Sequence, residues 1–226
     1  PRPYRRDQAG RQGAREIMDG LTHIPRIGVL GGTFNPVHLG HLIMAQDALE
    51  HFELSRVLLV PCASPPHKSS QDLAPASHRL AMLEAALEGD LHFEASDLEL
   101  QRGGISYTVD TLRELAALNP GVELCFIIGS DSLLELHLWK DIEAILGLCR
   151  VVTLARPGID LAGLKGTDLK LPDPWPARLL ADIRVGHQVD VSSTDIRYRV
   201  AEGMAIRYLV PAGVEMYIAE HSLYRR

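Results

Sequence analysis

The chain has 226 residues, 46% apolar and 23% charged, with a formal net charge of −6. That length allows one large domain with a full core, and a net-negative chain gives no reason to expect a nucleic acid or a membrane surface as partner. No run of about 18 apolar residues occurs, so no transmembrane helix is expected.

Residues 1–25 read as a basic extension, expected to be disordered. They carry Arg2, Arg5, Arg6, Arg11 and Arg15 against Asp7 and Glu16, and lack the apolar centre of a signal peptide. Met18 would serve as an alternative start. The rest, 26–226, reads as a single domain. Its apolar runs "RIGVLGG" (26–32), "RVLLVPC" (56–62), "LHFEASDLEL" (91–100), "ELCFIIGS" (123–130) and "RVVTLAR" (150–156) predict strands. Between them, "LGHLIMAQDALEHF", "ASHRLAMLEAALEG" and "YTVDTLRELAALNPG" have helical spacing.

Strands apolar on both faces and alternating with helices predict an α/β fold. The expectation is a Rossmann-like, doubly wound parallel sheet with a small C-terminal helical portion. Residues 157–184, rich in Pro, Gly and Asp, read as an irregular excursion or lid. "VDVSSTDIRYRVAEG" then predicts a strand and a helix capped by Ser193 or Thr194. Cys62, Cys125 and Cys149 are an odd count without a close pair, which argues against a disulfide scaffold or a thiolate zinc site. A cytoplasmic protein is expected.

In "GGTFNPVHLGH" (31–41), Gly31 and Gly32 allow close approach of backbone to a ligand, and Asn35-Pro36 suits a helix entry. Free N–H groups at a helix start favour an anion. His38 and His41, three apart, can share a face and donate to phosphate oxygens. Two unrelated surface histidines or a metal pair are the alternatives, although no third ligand is indicated by spacing. "VSSTDIR" (191–197) gathers hydroxyls and Arg197 at another helix start, either a second anion site or plain capping. Asp131, just past a strand end, could accept hydrogen bonds from a ribose or an adenine.

The first string resembles the H-x-G-H signature of the nucleotidyltransferase superfamily. Further segments resemble the bacterial nicotinate mononucleotide adenylyltransferases, in their order and over nearly everything after residue 25. These are "PCASPPHK" (61–68), "GGISYTVDTL" (103–112), "FIIGSDSL" (126–133), "LWKDIEAIL" (138–146), "ARPG" (155–158), "VSSTDIR" and "YLVPAGVEMYIAEHSLY" (208–224). Asn35 stands where the family frequently has Asp.

The resemblance implies adenylyl transfer from ATP to nicotinate mononucleotide, giving deamido-NAD and pyrophosphate in NAD biosynthesis. It implies that His38, His41 and Arg197 act on the reacting phosphates and that Mg²⁺ arrives with ATP. The ATP side would be formed by Gly31, Gly32, Thr33, Phe34, Ser193, Thr194, Asp131, Lys68 and Arg156, with His67 beside Lys68. Tyr107 and Thr108 would receive the nicotinate carboxylate, and Trp139 would stack on the pyridine ring. No protein ligand set for a metal is implied, and a homo-oligomer stays open. The rivals are a phosphopantetheine adenylyltransferase or cytidylyltransferase, and a non-catalytic nucleotide sensor.

Overall fold

The computed structural model describes residues 24–65, 73–155, 158, 161 and 163–225. Lys68, His67, Arg156 and the extension up to residue 23 lie outside these. Among the described residues the strands form one sheet in the order β3-β2-β1-β4-β5-β6, with every neighbouring pair parallel. They are β1 (Arg26–Gly32), β2 (Arg56–Pro61), β3 (Phe93–Ala95), β4 (Glu123–Gly129), β5 (Arg150–Leu154) and β6 (Ile183–Arg184). This is the expected doubly wound sheet.

The period of two in the central strands shows why the sheet is covered on both faces. Val57 and Leu59 of β2, with Cys125 and Ile127 of β4, enter one core. Leu58, Val60, Leu124 and Phe126 enter the other. The first core is closed by α1 (Leu39–His51), α2 (Ala76–Leu87), and the C-terminal α8 (Ser193–Ala201) and α9 (Ala212–Glu220). The second is closed by α4 (Thr108–Leu118), α5 (Ser130–Glu135), α6 (Ile142–Leu148) and α7 (Trp175–Ala181). Between β3 and α4 lies the short α3 (Leu98–Arg102). Burial pushes the Cys125 thiol up to about 11 and the Cys149 thiol up to about 12, so both stay protonated.

Three local expectations are corrected. The run 91–100 is a strand only at 93–95, because Leu98–Arg102 is helical. That turn is fixed by α4: Glu99 accepts from the Thr111 hydroxyl at 2.5 Å, and Arg102 donates to the same oxygen at 2.9 Å. No strand precedes α8. Residues 185–192 are irregular, and the edge strand β6 lies earlier, at 183–184. The cap of α8 is Ser192, whose hydroxyl accepts from the Asp195 N–H at 3.1 Å, so Ser193 is already helical. Within 157–184 the described residues include a 3₁₀ turn (Gly166–Leu169) and α7. No helix among the described residues is long and apolar enough to cross a membrane.

Candidate active site

In the sheet order β1 and β4 are neighbours whose onward connections leave in opposite directions, so a crevice opens beyond their carboxyl ends. A cavity of about 800 Å³ lies there. It is lined by Gly31 and Gly32 at the end of β1 with Thr33 after them, by His38, His41 and Asp47, and by Ser192–Thr194 with Arg197. Asp131 and Trp139 line the end reached by β4.

The histidines are held by the chain entering α1. Helix α1 begins at Leu39, not at Asn35-Pro36, and His38 is its N-cap. Asn35 is engaged elsewhere: its Oδ1 accepts from the Ala74 N–H at 3.1 Å. The His38 N–H donates to His41 Nδ1 at 3.3 Å, so a neutral His41 carries its proton on Nε2. The two imidazoles stack with centroids 3.7 Å apart and planes 25° from parallel. Gly40 makes room for this arrangement, since a Cβ there would lie 3.1 Å from His38 Nδ1.

Phe34 supports the pair from below. It is fully buried and adopts a left-handed backbone (φ 44°), and its ring meets His41 edge-on at 5.0 Å. It belongs to the core and is not among the residues lining the cavity, unlike the other described residues expected on the ATP side.

The second anion motif is bonded directly to the first. Arg197 Nη1 donates to the Asn35 carbonyl at 2.9 Å, and Nη2 lies 3.4 Å from the Thr194 hydroxyl. The Ser193 hydroxyl donates to the Pro36 carbonyl at 2.9 Å. Hydroxyls, a guanidinium and two imidazoles therefore border one space across a shared loop.

Other expected residues are distributed unevenly. Trp139 reaches the cavity, half-buried, with Phe126 edge-on at 5.8 Å. Asp131 is exposed in the first turn of α5. Tyr107 and Thr108 stand at the start of α4 but do not line the cavity. Tyr107 lies beside the Trp139 turn instead, with Lys140 Nζ 4.0 Å from its ring centroid.

Residues that sequence reasoning missed stabilise this site. Arg79 of α2 is 1% exposed and donates to the carbonyls of Thr33 (2.9 Å), Ala74 (3.0 Å) and Ala63 (3.3 Å). A buried charge on an otherwise apolar helix face was the available signal. Asp47 of α1, 4% exposed, holds another part of the lining: its carboxylate accepts from the His187 N–H at 2.7 Å and pairs with His187 Nδ1 at 2.6 Å. Gly186 permits this approach, as a Cβ there would come within 2.8 Å of Asp47 Cγ. No local pattern in the sequence joins residues 47 and 187. Among the described residues no three His, Cys, Asp or Glu side chains group as a metal site.

The cytidylyltransferase-like family matches residues 29–199. A relative from Desulfitobacterium hafniense (strain Y51), named "Probable nicotinate-nucleotide adenylyltransferase", is 43% identical over 201 residues, covering 88% of this chain and 96% of its own. One of the same name from Symbiobacterium thermophilum is 44% identical over 203 residues, covering 89% and 96%. The fold is also that of the Plasmodium falciparum nicotinic acid mononucleotide adenylyltransferase complexed with NaAD. That structure superposes with a TM-score of 0.68 at 18% identity, over 88% of this chain and 97% of that one.

Two predictions follow from the geometry of these supports. Arg79→Met leaves three carbonyls without their donor and is expected to lower stability by about 3 kcal/mol in urea unfolding. A loss under about 1 kcal/mol would show that the guanidinium is dispensable.

Hydrogen bonding to Asp47, reinforced by its charge, raises the His187 pKa. Below ~6.5 the ring is charged in both folded and unfolded chains, and only the folded chain gains Asp47. That contribution is complete there and disappears as pH rises through the raised folded value. His187→Gln should therefore lower Tm more at pH 5.5 than at pH 9, and an equal loss at both would remove the charge from the account.

Proposed function

The chain belongs to the cytidylyltransferase-like family, among its nicotinate-nucleotide adenylyltransferases, and from that premise we propose how its cavity works. The reaction joins nicotinate mononucleotide to the adenylyl group of ATP, forming nicotinic acid adenine dinucleotide in NAD biosynthesis. The observation that carries the mechanism is the convergence of two anion-binding elements on one cavity, linked through the carbonyls of Asn35 and Pro36.

The phosphate of nicotinate mononucleotide is an anion at neutral pH and needs no general base. Its oxygen attacks the α-phosphorus of ATP as the bond to the bridging oxygen breaks, and pyrophosphate leaves with that electron pair. No covalent enzyme intermediate forms. Catalysis then consists of alignment and stabilisation of negative charge. His41 Nε2–H and His38 face the α- and β-phosphate oxygens, while Ser193, Thr194 and Arg197 hold the departing pyrophosphate. Gly31, Gly32 and Thr33 let the chain pass close beneath.

Asp131 takes the ribose or adenine, and Trp139 stacks on the pyridine ring. The start of α4 at Tyr107–Thr108, where Lys140 beside Trp139 lies over the Tyr107 ring, receives the carboxylate. Lys68 and Arg156 complete the ATP side. Of the carboxylates bordering the cavity, Asp47 is committed to His187. With no group of three His, Cys, Asp or Glu side chains among the described residues, Mg²⁺ would be held mainly by ATP oxygens and water and would supply neutralisation of the triphosphate charge. The reduced thiols of Cys62, Cys125 and Cys149 fit the cytoplasm as its location.

His41→Ala is expected to lower kcat about a hundredfold while KM for the mononucleotide changes little. Near-normal turnover would remove His41 from the mechanism. Pyrophosphate release should also be much faster with nicotinate mononucleotide than with its amide. Equal rates would discard the carboxylate site at Tyr107 and Thr108 but keep the transferase.

A further inference from the structure

The closing segment "SLY" (222–224) resembles the family's ending, yet no step of the reaction uses it. In the structure it turns sharply: Ser222 and Tyr224 both adopt left-handed backbone conformations, at φ 51° and 62°. Such conformations are costly for residues with side chains and persist only where the surroundings impose them. The turn carries Tyr224 from the end of α9 to the loop after β1. There its hydroxyl lies 2.8 Å from Asn35 Oδ1.

The direction of this hydrogen bond can be fixed. The same Oδ1 accepts from the Ala74 main-chain N–H, and an N–H donates only to the oxygen of an amide. That atom is therefore the oxygen, so the phenol must be the donor. Burial raises the Tyr224 pKa, outweighing the nearby positive charges of Arg197 and Arg79, so the phenol stays protonated across the working range.

Asn35 is 4% exposed and three residues before His38. Its main-chain carbonyl accepts from Arg197, and its side chain joins the chain entering α2 to Tyr224. The side-chain bonds thus anchor the same residue whose main-chain carbonyl holds Arg197. We propose that Tyr224 is a positioning residue for adenylyl transfer, fixing the Asn35 amide so that the His38–His41 pair and Arg197 keep their spacing across the cavity. The inference rests on the adenylyl-transfer reading above.

Tyr224→Phe keeps the ring and removes only the donor. It is expected to lower kcat about tenfold, with KM for ATP and for nicotinate mononucleotide within about twofold and Tm nearly unchanged. A purely packing role would leave kcat intact, since the ring remains. The double variant with Asn35→Ala tests the route. Once the amide is gone, Tyr224→Phe should cost nothing further, even if either single variant is less stable.

Unchanged kcat in Tyr224→Phe, or losses that multiply in the double variant, would overturn the proposal while wild-type pyrophosphate release still supported the functional reading. Absence of release by folded wild-type protein with both substrates would overturn the reading, and the positioning role with it.

Discussion

A single buried guanidinium holds the catalytic end of this sheet together. Arg79 is buried, and its described partners are main-chain carbonyls from the loop after β1, the loop after β2 and the entry to α2. Burying a charge is costly unless its donors are satisfied, so these segments must converge on it for the fold to be stable. The convergence puts Asn35 where it can bond Ala74, and leaves His38 to begin α1. Carbonyl dipoles do not cancel the net positive charge. A positive field therefore persists under the loop after β1, as the proposed phosphate site requires.

The second half of the site depends on that loop. Arg197 and Ser193 spend hydrogen bonds on the carbonyls of Asn35 and Pro36, so α8 is docked against the first anion element and not merely near it. Asp47 of α1 repeats the device, drawing in the irregular stretch at 186–187. Preorganised groups of this kind need little rearrangement when charge develops on the substrate. This accounts for a phosphoryl-type transfer without a protein nucleophile or base.

The sheet was legible because β1, β2, β4 and β5 are buried on both faces and read as unbroken apolar runs. The H-x-G-H string and "VSSTDIR" could be singled out because each is contiguous in sequence, and both line the cavity. Other features depend on partners distant in sequence. Leu98–Arg102 is helical because Thr111 engages Glu99 and Arg102, and no periodicity in 91–100 records that. Phe34 sits between the cavity-lining Thr33 and Asn35 yet serves as core, with a left-handed backbone and its ring against Gly32 and His41. The pairs Asp47–His187 and Asn35–Tyr224 join residues more than a hundred positions apart, and only the fold brings them together.

The central claim is that the mononucleotide phosphate displaces pyrophosphate directly from the α-phosphorus of ATP. The most direct measurement is the stereochemical course of the reaction, using ATP made chiral at that phosphorus by sulfur substitution and reading the dinucleotide product by ³¹P NMR. A single in-line displacement predicts inversion of configuration. Retention would mean two displacements through a covalent adenylyl-enzyme, and would contradict a site built only to align and stabilise phosphates.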